Sequence, residues 1–197
     1  MRETVDNPVV LATLGTWVAL ELGLLVRDAA RGKGGTAQDR GTRRLNFLAI
    51  ATAATLAGVT GAALRHDHAL WLPGEGSDAL LVVGVVIMWA GLVVRISAVV
   101  ALGVAFRTTV EVDRGQRLVE RGPYRWVRHP SYTGLLLITA GYGLATGVWP
   151  SLAIAIAIPL AVLVRRIQVE EEALLSAMGG TYERYRRRTK RLVPGVW

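Results

Sequence analysis

Apolar residues in this chain arrive in long blocks, without the alternation or one-sided stripes of a soluble globule. About 20 apolar residues are needed to cross the hydrocarbon core of a bilayer, and the chain offers five such candidates. Val9–Val26 is interrupted only by Glu21, and Leu45–Leu64 carries no charge. Ala79–Phe106 contains Arg95 and is too long for one straight crossing, so it either leaves the bilayer toward Phe106 or kinks near Arg95. Ser131–Val164 divides at Thr146-Gly147-Val148-Trp149-Pro150 and reads as a helical hairpin with a Gly/Pro turn. Val9–Val26 lacks the basic start and the small-residue cleavage site of a cleaved signal peptide, and is kept as a membrane helix. The pattern predicts an all-α integral membrane protein of about five transmembrane helices.

Composition agrees with this reading. Hydrophobic residues make up 52% and charged residues 19% of the 197 positions, which is the opposite of a disordered chain. No cysteine is present, so disulfides, thiolate metal sites and a cysteine nucleophile are excluded. The formal net charge is +8, and 21 of the 23 basic residues are Arg. Twenty of them fall in Arg27–Arg44, Arg107–Arg128 and the tail from Arg165, all on one side of a five-span topology. The positive-inside rule makes that side cytoplasmic, with the N-terminus outside and the C-terminus inside. Anionic lipid headgroups then account for the basic charge without nucleic acid. The whole chain, 1–197, reads as one membrane domain: helices over 9–106, then a half 107–197 holding the hairpin 131–164 and cytoplasmic helices within 165–191. Arginine- and alanine-rich usage suggests a bacterial cytoplasmic membrane.

Two polar stretches face the basic side. Gly115–Tyr132 contains Arg128-His129 directly before Pro130, a residue favoured in a first helical turn. Arg128 and His129 beside a helix N-terminus suit an anion such as a carboxylate or phosphate. The competing reading makes Arg128 a snorkelling side chain and His129 and Tyr132 interfacial anchors. In Val169–Tyr185, Leu174, Leu175 and Met178 form an apolar stripe, Gly179-Gly180 breaks the helix, and Thr181 is placed to cap the next one. Glu170-Glu171-Glu172 would repel an anionic membrane surface, so the cluster calls for cationic partners, with Arg128 and His129 as candidates. Arg95 and Glu21 lie inside spans but near enough to an end to reach the surface. His66 and His68 in the outer loop are too few for a metal site.

The two stretches together resemble the isoprenylcysteine carboxyl methyltransferase family, which has phospholipid N-methyltransferase relatives. The resemblance covers roughly residues 95–194. It rests on Gly122-Pro123-Tyr124, Arg128-His129-Pro130-Ser131-Tyr132-Thr133-Gly134, Glu170-Glu171, Leu174, Met178-Gly179, Tyr182, Tyr185 and Pro194, with Met178 in place of the usual Phe. Arg95, Ala98, Leu102-Gly103 and Phe106 extend it upstream. It implies a membrane methyltransferase that uses S-adenosylmethionine and takes a lipidic acceptor from the bilayer. It further implies that His129, Pro130, Tyr132, Gly134, Glu171, Tyr185, Leu102 and Gly103 form the cofactor site, with Arg128 and Glu170 nearest the acceptor. A carboxylate acceptor needs no general base, whereas an amine acceptor would need Glu170 or His129 as one. Membrane sterol reductases share a similar Arg-His-Pro-x-Tyr stretch and bind NADPH, and a non-enzymatic membrane subunit is a third reading.

Overall fold

The computed structural model describes residues 6–30, 41–64, 66–74, 78–106, 108 and 118–197. Arg2, Arg31, Lys33, Arg40, Arg65, Arg107, Arg114 and Arg117, which enter the charge asymmetry above, lie outside the described residues, as do 37–40 and 115–117. The helices are α1 (Pro8–Ala30), α2 (Thr42–Leu64), α3 (Ala79–Leu102), α4 (Pro130–Ala145), α5 (Trp149–Met178) and α6 (Gly180–Arg188). Among the described residues the only β-pairing is two isolated bridges, Trp71 with Val148 and Val127 with Lys190. The chain is an all-α membrane protein.

Helices α1, α2, α3 and α5 are long and apolar enough to cross a bilayer. Helix α4 has 16 residues, about 24 Å at 1.5 Å per residue, and no residue of it is exposed. The over-long third block is one helix without a kink at Arg95. It stops at Gly103, whose φ of 56° suits glycine, and continues as a short 3-10 turn over Gly103–Ala105. The boundary expected at Arg165 is absent. Helix α5 runs through Arg165 and Arg166 to Met178, with Pro159 inside it. In hydrocarbon a broken helix would strand backbone polar groups, so the chain tolerates an interior proline there. Only Gly180–Arg188 forms a separate terminal helix, and Gly179, not Thr181, occupies its N-cap.

Helices α3 and α4 set the register of the bundle. Gly84 faces Gly141 and Gly91 faces Gly134: a Cβ added at any of the four would lie 2.5–2.7 Å from the opposite carbonyl oxygen. Small residues let two antiparallel backbones approach this closely. One turn beyond Gly91, the same register brings Arg95 against Ser131. Around this pair pack Trp17, Ile50, Leu92, Leu135, Ile138 and Leu163. Val86, Trp89, Val93 and Val100 form the outward face of α3.

Polar bonds tie the two ends of the bundle. At one, Leu72 N–H donates to Gly147 O at 2.8 Å, Ser151 Oγ donates to Ala57 O at 2.8 Å, and the His68 ring packs at a tilt against Trp71. At the other, the basic one, Arg27 Nη2 donates to Phe106 O at 3.1 Å. There Arg166, deep in α5, donates to Thr42 Oγ1 at 3.2 Å and to Thr108 O at 2.6 Å.

Candidate active site

A cavity of about 890 Å³ opens at the basic end and reaches up between the helices. Its upper walls are apolar: Leu14, Trp17, Phe47, Ile50 and Leu135. Helix α1 packs on α3 but barely on α2. Leu22, Phe47 and Leu48 line the cavity and are also exposed on the outer surface. The cavity therefore opens sideways between α1 and α2, at the level of the membrane.

The floor is polar. Tyr132 Oη donates to Glu170 Oε2 at 2.6 Å and accepts from Arg166 Nε at 2.8 Å. His129 stacks on Tyr132, with ring planes 8° apart, and its Nδ1 lies 3.6 Å from Glu170 Oε2. Behind Glu170, Glu171 is buried and gathers three cationic or polarisable partners. Arg128 Nε donates to Oε1 at 2.9 Å, His129 Nε2 lies 3.3 Å from the same oxygen, and Arg191 Nη2 donates to Oε2 at 3.0 Å. The acidic cluster thus does meet Arg128 and His129. A buried carboxylate is tolerable only with such partners.

The N-terminus of α4 differs from the sequence expectation. Arg128 N–H donates to Lys190 O at 2.7 Å and His129 N–H to Arg191 O at 3.0 Å, while Tyr132 and Thr133 amides turn back to His129 O. The amides expected to face a ligand anion are taken by the chain itself. Glu171 is the anion that sits there. Arg128 is likewise committed: besides Glu171, it donates to Thr189 O and to Arg186 O, the latter at 3.1 Å. It straps the end of α6 to α5.

The expected site residues divide into two groups. Leu102, Arg128, His129, Tyr132, Glu170 and Tyr185 line the cavity. Pro130, Gly134, Glu171 and Gly103 are not on its wall: Pro130 starts α4, Gly134 packs against Gly91 and Arg95, Glu171 stands behind His129, and Gly103 ends α3. The sequence reading missed Arg166, which it counted among surface charges. Its spacing of one helical turn from Glu170 was the available signal. It also left Arg95 and Glu21 unpaired. In the structure Arg95 Nη2 donates to Glu21 Oε2 at 2.6 Å, Nε donates to Oε1, and Nη1 donates to Ser131 Oγ at 2.6 Å.

Helix α6 closes the floor. Tyr185 Oη donates to Tyr124 O at 2.6 Å. Tyr182 is 1% exposed and lines the cavity, yet its hydroxyl has no protein partner. Burial, and then the charges of Glu171 and Glu170, push the Tyr182 phenol well above its ordinary value of 10.0. The phenol stays a neutral donor. Asn46 Oδ1 and Thr108 Oγ1 are also buried on this cavity without protein partners. Buried polar atoms in this state indicate a polar ligand or water.

The comparisons with known proteins converge on one family. Residues 82–176 match the model of the isoprenylcysteine carboxyl methyltransferase (ICMT) family. A protein-S-isoprenylcysteine O-methyltransferase of Schizosaccharomyces pombe is 33% identical over 53% of this chain and 45% of its own length. Protein-S-isoprenylcysteine O-methyltransferase B of Arabidopsis thaliana is 32% identical over 57% of this chain and 58% of its own. The solved structure of the eukaryotic intramembrane Ras methyltransferase ICMT superposes with a TM-score of 0.62 at 26% identity, covering 72% of this chain and 52% of that one. The chain spans about half the length of these proteins.

Proposed function

We propose that this chain, which matches the isoprenylcysteine carboxyl methyltransferase family over residues 82–176, methylates the carboxylate of an isoprenoid or similar lipidic acid within the membrane, with S-adenosylmethionine as donor. The observation that carries this reading is the cavity itself. It joins an apolar passage, open sideways between α1 and α2, to a floor of ionisable groups at the basic end. A lipid tail fits the first and a charged donor molecule the second.

The residues present suit S-adenosylmethionine. The unpartnered Tyr182 hydroxyl, Asn46 Oδ1 and Thr108 Oγ1 offer a donor and acceptors for its sugar and base. Glu170 offers a carboxylate to its ammonium or sulfonium charge. Bound there, the cofactor supplies an electrophilic methyl group for in-line transfer to an acceptor oxygen. The protein's part is to hold, orient and dry the site. Glu170 is fixed by the Tyr132 hydroxyl, and Tyr132 by Arg166. Arg128 and Arg191 fix Glu171, which in turn orients the His129 ring. Helix α6 covers the floor with Tyr182 and Tyr185 and keeps water out. A carboxylate acceptor is already ionised at neutral pH, so orientation and water exclusion are the main demands.

Calorimetric titration of the detergent-purified protein with S-adenosylhomocysteine, and separately with NADPH, decides the class. Micromolar binding of S-adenosylhomocysteine that is lost in Glu170→Ala supports the proposal. Binding of NADPH alone would make the protein a reductase and end it.

A further inference from the structure

Five arginines line the cavity; Arg43 and Arg44 stand in the first turn of α2, and of the other three only one is held by a partner that an acceptor can replace. Arg128 is tied to Glu171 and to two carbonyls. Arg166 is tied to Tyr132, Thr42 and a carbonyl. These partners belong to the framework. Arg95 is different. It is buried, it lines the cavity, and the edge of its guanidinium formed by Nε and Nη2 is filled by the Glu21 carboxylate. A two-point fork of this kind is the preferred way for arginine to hold a carboxylate. Glu21 stands on α1, the helix that borders the lateral opening and barely touches α2.

We infer that Arg95 is the seat for the acceptor's carboxylate, and that Glu21 fills this seat until an acidic acceptor displaces it. This deepens the methyltransferase reading and rests on it. The surroundings fit an acidic lipid: Trp17, Leu14 and Ile50 line the apolar wall beside the pair. Trp17 Nε1 donates to Glu21 Oε1 at 3.1 Å, and Ser131 holds Arg95 from the other side, so the guanidinium keeps its place when the carboxylates exchange. Tyr124 also lines the cavity, and its side chain is buried.

The exchange explains both entry and exit. An incoming carboxylate replaces another carboxylate, so Arg95 is never left as an uncompensated charge at membrane depth. Both acceptor oxygens rest on the Arg95 fork, and one of them presents its remaining lone pair for methylation. Methyl transfer would form an O–CH3 bond as the donor's S–CH3 bond breaks and leaves its electron pair on sulfur, and the acceptor's negative charge would be gone. The neutral ester is a poor rival for arginine, and Glu21 takes the seat back. Arg43 and Arg44 line the same cavity and give positive potential for the displaced Glu21 carboxylate.

The test is direct binding of N-acetyl-S-farnesylcysteine and of its methyl ester, with S-adenosylhomocysteine binding measured on every sample. Glu21→Gln removes the charged competitor, so the acid binds about tenfold more tightly while the ester gains much less, because a seat occupied nine-tenths of the time lowers apparent affinity by that factor. Arg95→Gln abolishes the preference for acid over ester. The double variant E21Q/R95Q contains no unpaired buried charge, melts cooperatively as the parent does, and also shows no preference. The inference is overturned if E21Q leaves acid affinity unchanged, or if E21Q/R95Q still prefers the acid. Acid preference that tracks Arg95 in a protein binding no S-adenosylhomocysteine supports the seat and sinks the methyl-donor reading instead.

Discussion

The Tyr132 hydroxyl donates to Glu170 at 2.6 Å and accepts from Arg166 at 2.8 Å, so one oxygen couples the cavity carboxylate to a buried guanidinium. Tyr132→Phe removes both bonds in a buried setting. Leaving a buried donor and a carboxylate without that partner costs about 1–3 kcal/mol. The expected result is binding of S-adenosylhomocysteine weaker by about tenfold, which corresponds to about 1.4 kcal/mol, with the protein still folded. Calorimetry alongside a thermal melt separates lost binding from lost fold.

The facing glycines of α3 and α4 leave no room for a side chain. Gly91→Ala puts a methyl 2.6 Å from Gly134 O, and Gly141→Ala puts one 2.5 Å from Gly84 O. The helices must separate, at an overpacking cost of about 1–3 kcal/mol. Thermal unfolding in detergent should show a lower midpoint for each. Gly15→Ala on α1, where nothing lies within 4 Å of the added methyl, serves as the control and should melt as the parent does.

Arg128 fastens α6 by donating to Arg186 O and Thr189 O and by holding Glu171. Arg128→Met keeps much of the volume and removes these bonds. Helix α6 should then open, exposing the bonds after Arg184, Arg186, Arg187 and Arg188. Limited trypsin digestion should cut the variant in this stretch much sooner than the parent. Equal cutting rates would refute the strap.

Burial raises the Tyr124, Tyr182 and Tyr185 phenols above 10.0, aided at Tyr182 by Glu171 and at Tyr185 by Glu120. For a group whose folded value is raised, the stabilisation is fully present below the unfolded value and fades as pH rises through the folded one. The site should therefore be indifferent to pH below about 9 on account of these groups and should weaken above 10. Ultraviolet titration should find these phenols ionising together with unfolding rather than before it.

Much of this could be read from residue patterns. The four long helices, the Gly/Pro turn between α4 and α5 and the stop at Gly179 follow from hydrophobic length and turn chemistry, which are local. The continuity of α5 did not. Charge at Arg165-Arg166 marks depth along a helix, not its end, and Pro159 breaks helices in water more readily than in hydrocarbon. Arg128, His129 and Glu170 were marked as candidates because they carry the family motif, and all three line the cavity. Partnerships across the bundle were not legible. Glu21 and Arg95 are 74 positions apart, and hydropathy gives the depth of each but not the face it presents. The seating of the Lys190 and Arg191 carbonyls on the Arg128 and His129 amides just before α4 likewise depends on the path of the tail.

Helix α4, about 24 Å long, is shorter than a hydrocarbon layer of about 30 Å, and no residue of it is exposed. Lipids do not feel the mismatch, because longer neighbours surround it. The cavity floor is built on its first turn, through His129 and Tyr132. On the proposed function, an acceptor seated at Arg95 would keep its tail against the apolar wall of Leu14, Trp17 and Ile50. If the proposed reading holds, such a site would select its guests by tail length and girth, since a short tail would not reach Trp17 and a bulky one would not pass between α1 and α2.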